Sequence, residues 1–400
     1  MSQLSSRLGQ FRPSPTTEMG ALVRRLRAEG RDIIGMVNGE PDFSTPDNIK
    51  DAGIRAIATN NTRYTDSNGT AELRTALSAK FKRENGLDYA PDQIVVSSGN
   101  KPLLHAALLA MIDPGDEVII PAPHWPSHPD IVQMAGGVPV SVLCPIEAGF
   151  RLSPEALEAA ITPRTRALVL NSPNNPTGAA YDRHELQALI AVLKRHPDIW
   201  ILTDEIYEHI RFDGRDMPSL AALDEEIAAR TVTANGASKG YVMTGWRIGF
   251  AGGPRPIMEA ISSIVGQLIG SPSAISQAAM IEALAGDQGF LQRNASIFQE
   301  RRDIAVEALG QMPGLRCHVP EGAFYLFVDC AGVIGCTQPD GHVIQTDDDF
   351  VRGCVKHAGV AFVPGSAFGL SPYFRLAYSL ETGQLRVAME RLRRYCNMIH

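Results

Sequence analysis

No stretch of this sequence is long and apolar enough to cross a bilayer, since no window approaches the ~18 apolar residues that a spanning helix needs. The opening MSQLSSRLGQ lacks the charged and then apolar segments of a secretory leader. We therefore expect a cytoplasmic protein with no membrane partner. Cysteine is sparse and unpatterned. The six residues Cys144, Cys317, Cys330, Cys336, Cys354 and Cys396 form no C-x-x-C pair and no zinc-like spacing with histidine. They read as reduced thiols, and no metal site is expected. Excess positive charge is missing too. Lys and Arg number 37 against 44 Asp and Glu, a net charge of −7, too acidic for nucleic acid as the main partner. No internal repeat or low-complexity tract interrupts the chain. What remains is ordinary globular material, 44% hydrophobic and 20% charged over 400 residues. That is enough for a large domain of roughly 200 to 250 residues and a smaller one. Small-molecule chemistry is the reading these absences leave.

From about residue 94 the chain alternates β-rich runs with amphipathic stretches, the pattern of a mostly parallel sheet flanked by helices. IVVSS (94–98), EVIIP (117–121), ALVLNS (167–172), WILTDE (200–205), TVTANG (231–236) and IGFAGG (248–253) are the strand candidates. Most are continuous apolar runs suited to burial on both faces. Helical spacing predicts crossover helices at about 101–111 and 183–195. A long helix over about 286–309 then leads into GAFYLFVD (322–329), VAFVPG (360–365) and FRLAYS (374–379), with a closing helix over 381–396. This last part reads as a smaller α+β domain. Residues 1–48, with a helix at about 17–29 and the turn GEPDFSTP (39–46), are expected to pack against it. The chain thus divides into 1–48, an arm with part of the small domain, 49–285, the large domain, and 286–400, the rest of the small domain.

The residues that suggest chemistry fall just after predicted strands, where open α/β sheets place ligands. Lys239 lies in ANGASKGYVMTGWRIGF, in a loop of small residues that lets a ligand approach. A single loop lysine is more often a solvated charge. Arg247, in GWRIG, offers a planar guanidinium that suits a phosphate, although an arginine there is commonly an ion-pair partner. Asp204 ends an apolar strand, and a carboxylate buried there needs a cation or else serves as a helix cap. Tyr207 can donate a hydrogen bond or simply fill the core. The segment NSPNNPTG (171–178) is rich in turn formers, and its Asn175 amide can reach two acceptors or donors. SSGNK (97–101) joins a strand to a helix N-terminus, whose free N–H groups favour anions. Trp125, in PAPHWPSH, can stack on a flat ring or belong to the core.

The set GEPDF (39–43), YTDSNGTAELR (64–74), DPGDEVIIPAPHW (113–125), NSPNNPTG (171–178), TDEIYE (203–208), SKGYVMTGWRIG (238–249), GAFY (322–325) and FRLAYS (374–379) resembles the class I aminotransferases of fold type I. In particular it resembles their bacterial aspartate aminotransferase branch, over about residues 10–395. That resemblance implies an α/β pyridoxal-phosphate transferase whose large domain binds pyridoxal 5'-phosphate. Lys239, preceded by Ser238, would hold the cofactor as a Schiff base and act as the base of the reaction. Asp204 would face the pyridine nitrogen, Tyr207 and Asn175 the ring oxygen, and Trp125 the ring plane. Arg247 with the backbone of Gly99, Asn100 and Lys101 would hold the phosphate. Tyr64 would reach the phosphate of a neighbouring subunit, implying a homodimer with shared active sites. Arg375 would grip the substrate α-carboxylate, helped by Gly39, Asn175 and Trp125.

The substrates implied are an amino acid and a 2-oxo acid, with aspartate or another dicarboxylic donor and 2-oxoglutarate expected. Lys101, which the branch associates with the distal carboxylate, is present, but its run is GNKP where relatives show GGKQ. His124, Trp125, Pro126, Ser127 and His128 likewise depart from the more aromatic segment usual there. Ser14 or Thr16 would line the same side-chain pocket, and His128 reads as an ordinary solvent-facing residue. Transaminases for aromatic, basic or secondary-metabolite amino acids share the motifs. So do lyases and synthases of the same fold type.

Overall fold

The computed structural model describes residues 15–400. Its strands, in chain order, are β1 (Ile34–Gly35), β2 (Ile94–Ser97), β3 (Glu117–Ala122), β4 (Val138–Leu143), β5 (Thr165–Asn171), β6 (Trp200–Asp204), β7 (Thr231–Gly236) and β8 (Gly249–Gly252). They continue with β9 (Arg316–Cys317), β10 (Tyr325–Asp329), β11 (Val360–Ala361), β12 (Val363–Pro364) and β13 (Tyr373–Ala377). Seven of them form one sheet in the order β2-β8-β7-β6-β5-β3-β4. The pairs from β7 to β4 are parallel, and β8 runs antiparallel to both β7 and β2.

This strand order decides where chemistry can sit. β3, β5, β6 and β7 all point the same way, and two reversals through β8 make β2 point with them. The residues after β2, β3, β5, β6 and β7, and those before β8, therefore meet at one edge. Continuous apolar runs form the central strands because both faces are covered. Val118, Ile120, Val169, Leu202 and Val232 enter one buried cluster, while Ile119, Leu168 and Ile201 enter another on the opposite face. Each such side chain contributes about 1.5–3 kcal/mol by leaving water. The crossover helix Arg183–Leu193 starts at Asp182, whose side chain accepts from the Glu185 N–H while Glu185 reaches back, a reciprocal cap that fixes its first turn.

A second, antiparallel sheet has the order β12-β13-β10-β9, and β1 pairs in parallel with β11. The helix Pro15–Ala28 sends Met19, Val23 and Leu26 into the core shared with Phe324, Leu326 and Phe362. Several elements differ from their sequence boundaries. GAFYLFVD becomes a strand only from Tyr325, because Gly322 is engaged in a bridge with Arg211 and Ala323 takes φ 57°. VAFVPG is two short strands in different sheets. β4 is not anticipated: it is a half-exposed edge strand, unlike the buried runs that mark the others. Among the described residues no helix is long and apolar enough to cross a membrane.

Candidate active site

At the edge where the strand ends converge lies a cavity of about 210 Å³. Gly39, Asn100, Lys101, Trp125, Asn175, Asp204, Tyr207, Lys239 and Arg375 line it, so nine of the residues nominated from sequence share one space. They come from the helix start after β2, from the segments after β1, β3, β5 and β7, from the end of β6 and the turn behind it, and from β13. A larger cavity of about 360 Å³ is lined by Glu205, Glu208 and His209 of the turn that follows β6 and contains none of them. Its size alone does not recommend it, because none of the residues nominated from sequence lines it. Lys80 already bonds Glu208 and Asn85.

Lys239 is half-buried at the cavity wall, and its Nζ donates to the Gly39 carbonyl. Burial pushes its amine down to about 8, reinforced by the Arg375 and Arg247 cations and opposed by Glu40 and Asp204. Among the described residues no cation is bonded to the buried Asp204 carboxylate. Its Oδ1 accepts from Asn100 Nδ2 at 2.8 Å, and its Oδ2 lies 3.6 Å from His128 Nε2, beyond hydrogen-bond reach. A buried carboxylate in that state favours a cationic occupant of the cavity.

Asn171 fixes the neighbouring turn, donating to the Asp204 carbonyl at 2.8 Å and accepting from the Asn175 N–H at 2.9 Å. Arg375 is buried. Its Nη1 donates to Asn175 Oδ1 at 3.0 Å and its Nη2 to the Val37 carbonyl at 2.6 Å, while among the described residues Nε has no partner. The Tyr207 hydroxyl lies 2.9 Å from that of Tyr325. Burial holds the Tyr207 hydroxyl well above its ordinary pKa, so it stays a protonated donor. The Lys101 ammonium sits 4.7 Å from the Trp125 ring centre and bonds Ser127 Oγ at 2.8 Å.

The anion end is built by the backbone. Gly99 precedes the helix Asn100–Met111 with φ 96°, a left-handed conformation open to glycine. A Cβ there would lie 2.3 Å from Arg247 Nη2, so the guanidinium is seated against the glycine and the helix start. Helix N-terminus and guanidinium together offer a phosphate-binding corner. Ser238 is buried immediately before Lys239 and does not line the cavity. Tyr64 is 99% exposed and touches nothing in this cavity.

One expectation changes. His128 does not face solvent: it is buried against Asp204 and edge-on to Trp125, with ring centres 5.3 Å apart. Its burial follows from the helix Ser127–Met134, which turns the ring inward beneath Trp125. His124 is buried as well, 3.4 Å from Ser141 Oγ, and burial pushes its imidazole down to about 4. Thr16 does line the cavity, beside Thr17, whereas Ser14 lies outside the described residues. Tyr325 and Asn171 complete the walls. Sequence singles out neither, although GAFY and NSPNNPTG contain them.

The chain matches the family model described as aminotransferase class I and II over residues 31–392. It is 50% identical over 396 residues to the aspartate/prephenate aminotransferase of Cereibacter sphaeroides, covering 99% of each chain. To an aspartate aminotransferase of Rhizobium meliloti it is 48% identical over 397 residues, covering 99% of this chain and 97% of that one. The crystal structure of the aspartate aminotransferase from Rhizobium meliloti superposes with a TM-score of 0.97 at 48% identity, with 100% of both chains covered. That of the Thermus thermophilus aspartate aminotransferase with maleate gives 0.91 at 40% identity, with 99% of this chain and 100% of that one covered.

Proposed function

The chain belongs to the class I and II aminotransferases, pyridoxal-phosphate enzymes of fold type I, and from that premise we propose that it moves the amino group of aspartate, or a similar dicarboxylic amino acid, to 2-oxoglutarate. One observation carries the substrate reading. Two cations, Arg375 and Lys101, line the same cavity as Lys239, giving a dicarboxylate a partner for each end.

The cavity's donors fit pyridoxal 5'-phosphate. Lys239 is the amine that would carry it, and Asp204 lacks the cation that a protonated pyridine nitrogen supplies. Trp125 offers a ring face, Tyr207 and Asn175 offer hydrogen bonds to the ring oxygen, and Gly99, Asn100, Lys101 and Arg247 would hold the phosphate, with Ser238 preceding Lys239 in the chain. When bound, the cofactor supplies an electron sink for the pair left when the substrate α-proton departs.

The chain's own groups do the rest. Arg375 grips the α-carboxylate and, with Asn175, Gly39 and Trp125, fixes the α-carbon near Lys239. The Lys239 amine, with its pKa near 8 instead of about 10.4, is partly neutral at physiological pH and takes up and returns the proton at that carbon. Asp204 holds the proton on the pyridine nitrogen, and Asn100 keeps its carboxylate in place.

Tyr64, fully in solvent in its own chain, is read as reaching the cofactor phosphate of a second copy, which makes the working unit a homodimer. Sedimentation of the purified protein as a dimer is the expected result. The relative from Cereibacter sphaeroides is named for prephenate as well. Prephenate also carries two carboxylates, so the same two cations favour it as an alternative acceptor.

The test is the absorption spectrum of the cofactor-loaded protein before and after aspartate. Loss of the visible band with stoichiometric oxaloacetate is expected. A donor panel that strongly prefers aromatic, basic or neutral amino acids would overturn the substrate reading. Ammonia release without amino transfer would favour a lyase.

A further inference from the structure

We propose that Tyr325 is a positioning residue for two groups at once, its hydroxyl fixing that of Tyr207 and its ring carrying the guanidinium of Arg375. The proposal rests on the reading above, in which Tyr207 serves the cofactor and Arg375 the substrate carboxylate.

Strand register brings the pieces together. In the β10–β13 ladder Phe327 faces Arg375 and Tyr325 faces Ala377, so Tyr325 and Arg375 are diagonal neighbours on one face of the sheet. The guanidinium lies 4.7 Å from the Tyr325 ring centre and 4.9 Å from that of Phe368. A buried cation held against two aromatic rings is attracted to both and cannot easily rotate. Its Nη1 and Nη2 are already committed to Asn175 and Val37. The rings hold its faces, and its Nε edge is left for the cavity.

The hydroxyl has a separate task. It lies 2.9 Å from the Tyr207 hydroxyl, and among the described residues neither oxygen has another protein partner. A Cβ at position 39 would come within 2.7 Å of the Tyr325 hydroxyl, so Gly39 leaves room for it. A tyrosine hydroxyl has one proton to give and lone pairs to accept. If Tyr207 gives its proton to the ring oxygen of the cofactor, Tyr325 must be the donor within the pair. A hydroxyl that accepts a bond donates more strongly in turn. Tyr325 therefore strengthens the bond that Tyr207 makes. Burial raises both hydroxyls, keeping them protonated around neutral pH. The charges facing the pair are Arg375 and Asp204, with Lys239 across the cavity under the influence of Glu40 and Arg247.

Two substitutions separate the tasks. Tyr325→Phe keeps the ring and removes the hydroxyl; Tyr325→Leu removes both. Two readouts on the loaded protein avoid turnover altogether: the pH midpoint of the bound cofactor's visible band, and the dissociation constant for maleate, an unreactive dicarboxylate. For Tyr325→Phe the midpoint should rise by about half a pH unit, because a weaker donor at Tyr207 leaves the ring oxygen more basic. Its maleate binding should stay close to wild type. Tyr325→Leu should weaken maleate binding about tenfold. An unmoved midpoint in Tyr325→Phe overturns the hydroxyl role, and equal maleate losses in the two variants overturn the ring role. Should the leucine variant not fold, a phenylalanine variant with weakened maleate binding overturns the ring role by itself. A wild type that takes up no cofactor fails the functional reading, and the proposal with it. A wild type with a normal band and an unchanged Tyr325→Phe midpoint fails the proposal alone.

Discussion

Arg375 and Asn175 lie 200 positions apart, and Nη1 of the one donates to Oδ1 of the other at 3.0 Å. The contact joins the second sheet to the loop after β5, so the proposed carboxylate grip spans both sheets. The guanidinium is planar and its fork matches a carboxylate, which a lysine ammonium cannot reproduce. Arg375→Lys should therefore raise KM for aspartate by about one to two orders of magnitude while the cofactor stays bound. Steady-state kinetics with the visible band recorded in parallel checks this. A KM within twofold of wild type counts against the assignment.

Asp204 is the second point of leverage. Asp204→Asn keeps the shape and can still accept from Asn100, but a neutral amide cannot hold a proton on the pyridine nitrogen. Turnover should fall by roughly three orders of magnitude, the scale at which a placed proton matters. The fold should survive, because a buried carboxylate with no bonded cation is itself a cost. Single-turnover rates with deuterium at the aspartate α-carbon check the step affected. A mild loss would mean that Asp204 does not face the nitrogen.

What could be read from sequence divides along a physical line. Asp204, Asn175, Trp125, Lys239 and the Gly99–Lys101 corner follow apolar runs directly, so strand ends and ligand edge are both local signals. β4 escaped because Val138, Val140 and Val142 alternate with Pro139 and Ser141 on an exposed edge, whereas its neighbours are unbroken apolar runs. Tyr325 escaped for a different reason. Its place beside Arg375 comes from the β10–β13 register, a pairing across 50 residues that no local pattern encodes. His128 sits among Ser127, Pro129 and Asp130, polar surroundings that suggest solvent. Its burial against Asp204 is a tertiary fact.

Burial pushes the Lys239 amine down to about 8. Only the neutral amine attacks an aldehyde, and with a depressed pKa the neutral fraction grows as pH rises through about 8, well before the 10.4 or so of a free lysine. Cofactor-free protein mixed with pyridoxal phosphate should gain its visible band faster as pH rises, with a midpoint near 8 in stopped-flow traces. Lys239→Ala should show no such band and almost no turnover. A midpoint close to that of free lysine would mean that burial does not depress the amine in the folded protein.

Two glycines with nearly equal φ isolate the phosphate corner. Gly99 has φ 96° and Gly115 has φ 94°. Alanine at either position meets a positive φ that costs about 1 kcal/mol or more, and at Gly99, where ψ is 167°, the backbone region is essentially reserved for glycine. The surroundings differ: a Cβ at 115 meets nothing within 4 Å, while one at 99 would sit 2.3 Å from Arg247 Nη2 and 2.9 Å from its Cζ. That guanidinium is the flexible end of a long side chain, so it will swing away instead of breaking the fold. Both variants should then lose some thermal stability, and only Gly99→Ala should release pyridoxal phosphate more readily, by about tenfold or more if a charge-assisted phosphate contact is lost. Dialysis of the two loaded variants, followed by absorbance, reads the difference. Equal cofactor retention would show that Arg247 does not hold the phosphate, since the substitution at 99 cannot leave its guanidinium where it now sits.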